Sequence, residues 1–380
     1  MKTSRHLQLV LVSLFLSVPG FSQVPLDRAN SEEGSIDWKV PVAANEIKLM
    51  SYNVENLFDA LHDEGKSDFE FLPKDHPEKK NCASQGNFAN SCFNTNWTTP
   101  KVRIKLERIK QVVDAQGALP DILTLNEVEN SKVTERLAPV LGYTQFRITE
   151  SPDARGIDNV IFFKEAKINL VDFRERQVVG KGLRTRNLAV AHFRFRKSFG
   201  EVGVLAVYLN HWPSQGKDSN SRVEVARQLK DFIEENRKSF KGEKYMVVLT
   251  GDFNTVDADS PHPFKEVIYD KAWDLRFQDA HSLAKKSGHP LLDVMPPASY
   301  FYSKNGEWNE FDHFFLSRDL TDGAGLDIDP HSYRILAADF MTRPSKFGPV
   351  PKRYEHEAED ADLHGYSDHF PVIVKLRRGK

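Results

Sequence analysis

Seven short apolar runs in this chain begin or end in Asn, Asp, Glu or His, and that recurrence constrains the fold more than any single motif. "IKLMSYNVEN" closes on Asn53 and Glu55, "DILTLNEVEN" on Glu127, "LAVYLNHW" on Asn210 and His211, and "VVLTGDFN" on Asp252 and Asn254. "RGIDNVIFF" opens on Asp158 and Asn159, "EFDHFFLS" on Asp312 and His313, and "GYSDHFPVIV" on Asp368 and His369. Short runs of Val, Ile, Leu and Phe bounded by turn-forming residues read as buried strands. Each polar end is unremarkable alone: "GDFN" is first a turn, and an isolated histidine is more often structural than catalytic. Gathered at one edge of packed sheets, the same residues would make an oxygen-rich pocket with two imidazoles.

Helical stretches separate the strands. "PKVRIKLERIKQVVDAQ" sets Pro100 at a helix start and Val102, Leu106, Ile109 and Val113 on one face; "SRVEVARQLKDFIEENRKS" is a second helix. "FRFRKSFGEVGVLAVYL" reads as a hairpin turning near Gly200. There is no repeat of fixed period and no dinucleotide-type glycine loop. Interleaved strands and helices from residue 45 to 380 imply one α/β domain of two packed sheets with helices outside. Two stretches break the regularity and read as loops: a polar insertion at about 59–100 and a Pro-rich, charged segment at 320–365.

The N-terminus sets the compartment. Lys2 and Arg5 precede an apolar stretch from Leu7 to Val18, followed by Gly20 and Ser22, the pattern of a secretory signal peptide at 1–22, too short to anchor in a bilayer. Residues 23–44 form a polar tail, and the protein is expected to be secreted or periplasmic. In an oxidising compartment Cys82 and Cys92, the only cysteines of the chain, are expected to be bonded, stapling the insertion. Cleaving the leader removes two cations and no acid, so the formal charge moves from −2 to −4. An anionic substrate must then be held by a local patch or a metal rather than by overall charge.

As an ordered set, "SYNVENLF", "DILTLNEVEN", "RGIDNVIFF", "YLNHWPS", "GDFN", "FDHFFLS" and "SDHFPV" resemble the endonuclease/exonuclease/phosphatase superfamily, the DNase I-like fold, over about residues 47–376. The "NVENLFD" and "NHWPS" forms are most similar to secreted bacterial members. The resemblance implies a four-layer α/β sandwich and a divalent-metal phosphodiesterase or phosphatase. It implies Asn53 and Glu127 at a Mg²⁺ site (Mn²⁺ or Ca²⁺ as alternatives), with Asp368 beside the metal in some relatives. Asp252 and Asn254 fall at the position that places or activates the attacking water. His211 falls where a histidine touches phosphate or protonates the leaving oxygen, and His369 at the terminal histidine that Asp312 hydrogen-bonds. Arg186 roughly matches a phosphate-contacting arginine.

The chemistry accounts for these residue types independently. Mg²⁺ takes oxygen ligands, commonly one or two carboxylates with retained waters. Phosphodiester cleavage needs an in-line nucleophile, neutralised phosphoryl oxygens and a stabilised leaving oxygen. An Asp312–His369 pair would fix the imidazole tautomer and raise its pKa. Either Asp252 or His369 could take the proton from water. In extended geometry Asp252 and Asn254 would point to the same side, with Gly251 letting the chain bend near the site. His313, facing away from Asp312's side, and His192, inside "LAVAHFRF", receive no role.

The favoured reading is a nuclease acting on DNA, with RNA as an alternative. The runner-up keeps the same chemistry on sphingomyelin or an inositol phosphate, and a third reading is an inactive binding scaffold. Arg174, Arg176, Lys181, Arg184 and Arg186 form a basic bunch that either grips a phosphate backbone or is a solvated loop. Asp158 is a further candidate at the substrate, and Trp308 either stacks on a base or sugar or belongs to the core. No protein partner is expected.

Overall fold

The computed structural model describes residues 36–379 apart from Lys181 and Glu201, so the expected leader at 1–22 lies outside the described residues. Contacts divide the chain into Met1–Asp37 and Trp38–Lys380, and every element below belongs to the second unit. β1 (Glu46–Leu57) leads into the insertion, which carries α1 (Ala89–Asn94); α2 (Thr99–Ala115) then crosses to β2 (Ile122–Val128). Next come α3 (Ser131–Leu141), β3 (Gln145–Ile148), β4 (Asp158–Phe163), β5 (Ile168–Arg176), β6 (Leu188–Phe195) and β7 (Val204–His211). α4 (Ser219–Lys238) crosses to β8 (Tyr245–Asp252), followed by β9 (Gln278–Asp279) and α5 (Ala280–Lys286). A hairpin of β10 (Tyr300–Tyr302) and β11 (Glu307–Asn309) precedes β12 (Asp312–Leu316) and β13 (Leu326–Ile335). A second hairpin, β14 (Thr342–Arg343) and β15 (Val350–Pro351), precedes β16 (Val372–Arg378).

Twelve of these strands form two six-stranded sheets, ordered β13-β16-β1-β2-β4-β3 and β5-β6-β7-β8-β12-β9. Each is built around one parallel pair, β1 with β2 and β7 with β8, while the other neighbours run antiparallel. Parallel neighbours need a long crossover, and α2 and α4 supply it. The period-two pattern of β7 shows how the layers stack: Leu205, Val207 and Leu209 enter the core shared with the other sheet, while Val204, Ala206 and Tyr208 pack beneath α4. β8 divides the same way, with Met246 and Val248 facing one core and Tyr245, Val247 and Leu249 the other. Helix, sheet, sheet, helix is the four-layer sandwich that the sequence implied.

Both segments expected to be loops hold structure. Within 320–365, β13 is a ten-residue edge strand, and its register slips between Asp329 and Arg334 around Pro330. An edge strand tolerates proline because one side of it has no neighbour needing an N–H. The 59–100 insertion folds around Phe71 and Trp97. Phe71 stacks on Phe58 with centroids 4.0 Å apart, and the Trp97 indole N–H donates to the Phe58 carbonyl at 3.1 Å. Cys82 and Cys92 are bonded, their Cα atoms 5.5 Å apart, joining the short helix Pro77–Ser84 to α1. Trp97 also packs against Tyr354 at 5.7 Å, so the insertion braces the loop before β16.

Candidate active site

The carboxyl ends of the two parallel pairs, the start of β12 and the turn before β16 converge on one cleft of ≈ 1130 Å³. Strand ends of opposed sheets would carry unpaired backbone groups there, and asparagine side chains pair them. The Asn126 amide donates to Asn159 Oδ1 at 2.7 Å and to the Asn210 carbonyl at 3.0 Å, while its oxygen accepts the Asp252 N–H at 3.2 Å. Asn126 thus brackets β2 to β7 and β8. Sequence reasoning passed over it, because an asparagine at a strand end looks like a turn former. Ser367 does similar work: its hydroxyl donates to the Asn53 carbonyl at 2.7 Å and accepts the His369 N–H at 3.0 Å.

Local backbone distortion aims the side chains. Glu127 has φ 65, Glu55 φ 52 and Asn254 φ 46, and the β1–β2 and β2–β4 registers shift beside Glu127. Bulges of this kind re-aim a side chain out of its pleat. Gly251 has φ 122, and a Cβ there would lie 2.0 Å from the Asn210 carbonyl oxygen, so only glycine lets β8 close on β7. Asp252 and Asn254 do share the cleft, though through a turn and not an extended segment: the Asn254 N–H donates to Asp252 Oδ1 at 2.8 Å. "GDFN" is therefore a turn whose Asp252 and Asn254 both line the cleft.

Asp252 sits at the centre. Its Oδ2 accepts from the Asn53 amide at 3.0 Å and lies 3.8 Å from His211 Nε2 and 3.9 Å from His369 Nε2. Burial raises its pKa to about 7, His369 pulling it down and Asp312 pushing it up. His369 Nδ1 pairs with Asp312 Oδ2 at 2.7 Å. Burial alone would lower the His369 pKa, but Asp312, reinforced by Asp252 and Asp368, lifts it to about 10. His211 differs: burial, with Arg186 and Arg155 nearby, holds its pKa well below the usual imidazole value, and its Nδ1 is buried without a partner. One histidine is thus held as a cation and the other neutral.

The oxygens that could hold a hard cation are those of Glu127, Asn53 and Asp368. Glu127 Oε2 accepts the Asn56 N–H at 3.1 Å, leaving Oε1 facing His211 at 3.8 Å. Asn53 Oδ1 accepts the Glu55 N–H at 3.0 Å and retains a second lone pair. Asp368 Oδ1 lies 4.0 Å from His369 Nε2. This set of oxygens without thiolates suits Mg²⁺, Mn²⁺ or Ca²⁺. A tighter cluster, Asp279, Glu310 and His313, lines another part of the cleft. His313 Nδ1 faces Asp279 Oδ1 at 3.1 Å and Nε2 the Glu310 carbonyl at 2.8 Å. Against burial, Asp279 and Glu310 raise its pKa to about 9.

Arg186 lines the cleft nearly buried, donating to the Trp212 carbonyl at 2.5 Å. Trp308 also lines it, half-buried against Phe301 at 5.0 Å, so it belongs both to the packing and to the cleft wall. Asp158 is not brought to the cleft. Its Oδ1 accepts from Thr149 at 2.6 Å and from the Ser151 N–H at 2.8 Å, fastening the turn between β3 and β4. The basic bunch is also dispersed: Arg174 pairs with Asp172 at 2.6 Å, Arg176 pairs with Glu235, Arg184 donates to the Pro152 carbonyl, and Lys181 lies outside the described residues. His192, as expected, is structural, between Asp172 and Tyr245.

The Endonuclease/Exonuclease/phosphatase family matches residues 48–378. The chain belongs to that family. Its members hydrolyse phosphoric esters, and the two six-stranded sheets are the DNase I-like sandwich of the endonuclease/exonuclease/phosphatase fold. Among solved structures, an endonuclease/exonuclease/phosphatase family protein from Bacteroides thetaiotaomicron matches with a TM-score of 0.50 at 15% identity, over 87% of this chain and 97% of that one. Truncated Caenorhabditis elegans TDP2 matches at 0.50 and 15%, over 90% and 100%. The human nocturnin catalytic domain gives 0.48 and 15%, over 91% and 97%. At such identities the first two likenesses show the fold alone. No curated protein matches the chain significantly.

Proposed function

We propose that this member of the endonuclease/exonuclease/phosphatase family is an exported, divalent-metal-dependent phosphodiesterase with DNA as its favoured substrate. The observation that carries the reading is the Asp252 carboxylate set between two imidazoles, 3.8 and 3.9 Å away, beside the Glu127 and Asn53 oxygens. Export rests on the leader-like residues 1–22 alone.

In this reading Asn53, Glu127 and Asp368 would hold Mg²⁺, which when bound would supply charge neutralisation of the phosphoryl oxygens. Asn254 and Asp252 position a water, and Asp252 accepts its proton as the water oxygen bonds to phosphorus and the bond to the leaving oxygen breaks. Asp252 is favoured over His369 as the base because Asp312, with Asp252 and Asp368, holds His369 as an imidazolium, which has no lone pair to take the proton. His369 then serves as an imidazolium against phosphoryl charge. His211, neutral, donates a hydrogen bond to a phosphoryl or leaving oxygen, and Arg186 adds a fixed positive charge.

Purified protein with Mg²⁺ should nick plasmid DNA, with RNA cut more slowly and sphingomyelin and inositol phosphates left intact. Rapid hydrolysis of either of the last two without plasmid cleavage would move the chain to the lipid or inositol-phosphate reading. No hydrolysis of any of them would point to an inactive scaffold.

A further inference from the structure

Because Arg174 and Arg176 are paired with acids and Arg184 is turned to the Pro152 carbonyl, a strand-shaped polyanion would need further cations, and a second cavity supplies them. It has a volume of ≈ 440 Å³ and is lined by Arg343, Lys352, Arg353, Glu355, Ala358 and Leu363. Three cations face one acid. Among the described residues no carboxylate lies within 4.0 Å of the Arg343 or Lys352 cations, in contrast to Arg174, Arg176 and Arg353. An unpaired, partly exposed guanidinium and ammonium are what a phosphate group can engage without first breaking an ion pair.

The cavity opens next to the candidate site. The Arg353 guanidinium donates to Glu55 Oε1 at 2.8 and 2.6 Å and reaches Asp368 Oδ2 at 3.9 Å, and Asp368 lines the main cleft. Glu55 is two residues from Asn53 on β1, so Arg353 fixes the cavity's inner wall to the strand that carries the candidate metal ligand. The outer wall is also anchored. Phe347, between β14 and β15, packs on Phe301 at 5.6 Å, and Tyr354 stacks on His364 at 4.6 Å and lies against Trp97 of the insertion. Leu363, 57% exposed, gives this wall an apolar surface against which a sugar or base can rest. Exposed Glu357, Asp360 and Asp362 on the same loop limit how tightly an anion can bind, which suits an auxiliary subsite better than an independent polyanion site.

We propose that this cavity is a second-phosphate subsite: while one phosphodiester occupies the Asp252 corner, Arg343 and Lys352 engage another phosphate of the same substrate. The inference rests on the phosphodiesterase reading and extends it to substrates carrying more than one phosphate, a nucleic-acid strand first among them.

The test compares wild type with an Arg343→Ala/Lys352→Ala double variant, using Arg176→Ala as a control for a cation that is already paired. Binding of a short fluorescein-labelled oligodeoxynucleotide and of tripolyphosphate is measured in EDTA across a salt series, and turnover of a small aryl phosphodiester is measured with Mg²⁺. The double variant should bind the oligonucleotide roughly tenfold more weakly, with a salt slope shallower by about 0.7, the value for one lost single-strand phosphate contact. Arg176→Ala binding and aryl ester turnover by the double variant should match wild type. Weakening for tripolyphosphate alone would keep the subsite and assign it to compact polyphosphorylated substrates. Unchanged affinity and slope for both probes would overturn it, even in an enzyme that cuts DNA. Absence of aryl ester and DNA hydrolysis in wild type would instead remove the phosphodiesterase reading, with the binding series still deciding whether the cavity takes phosphate.

Discussion

Asp312 Oδ2 and His369 Nδ1 meet at 2.7 Å across 57 residues of sequence, joining the first residue of β12 to the turn before β16. Asp312 is fully buried and its Oδ1 has no hydrogen-bond partner, so the contact to His369 is its principal compensation. An orienting carboxylate should matter less than the imidazole it orients. Asp312→Asn is therefore expected to keep more activity than His369→Ala, which the turnover of both variants on one substrate will show. His211→Ala should fall by ~10²–10⁴, the range for a positioned acid–base or hydrogen-bonding group.

Metal dependence follows from the oxygens of Glu127 and Asn53. Activity should require Mg²⁺ or Mn²⁺ and be lost in EDTA. Glu127→Gln, which removes a charge and keeps the shape, should raise the metal concentration needed for half-maximal rate. Metal titration of the rate in wild type and variant is the measurement, and full activity in excess EDTA would remove the metal from the account.

The His313–Asp279 pair makes stability depend on pH. The folded His313 pKa is raised to about 9 from an ordinary 6.5, so its contribution is fully present below about pH 6.5 and is lost as pH rises through 9. Full linkage over that interval is of order 3 kcal/mol as a ceiling. The wild-type Tm should fall between pH 6.5 and 9, and His313→Gln should flatten that fall. An equal slope in both proteins would rule the pair out as its source.

The Cys82–Cys92 bond closes a short loop, worth about 3 kcal/mol in the chain-entropy picture. Phe71 and Trp97 already hold the insertion to Phe58, so the effect should be local. Reduction should speed proteolysis within 77–94 well before it lowers the global Tm. Two free thiols in exported, non-reduced protein under mass spectrometry would contradict the bond.

Strand ends were legible because a buried apolar run leaves few reasons for Asn, Asp, Glu and His to recur at its edges. The sequence placed Asn53, Glu127, His211, Asp252, Asn254, Asp312, Asp368 and His369 at such edges or beside them; six of them line the cleft, while Asn53 and Asp312 lie buried behind it against Asp252 and His369. Partnership across the fold was not legible. Arg176 looked free until α4 brought Glu235 to it, and His313 looked idle until Asp279, 34 residues earlier, came within 3.1 Å. Asn126 holds two sheets together with a side chain that reads locally as a turn former. β13 was hidden by Pro330 at its bulge, and the insertion's core by the few apolar residues that build it. Arg155, which donates to Asn56 at 3.2 Å and lines the cleft, stands in "RGIDNV" with no local signal of a role.

Steady-state hydrolysis of a small aryl phosphodiester by wild type and His369→Ala, at saturating Mg²⁺, isolates the chemistry of the Asp252–His369 corner from substrate recognition. His369→Ala should lose ~10²–10⁴ in kcat with folding unchanged. Equal kcat in the two proteins would contradict the placement of the reaction at the Asp252–His369 corner.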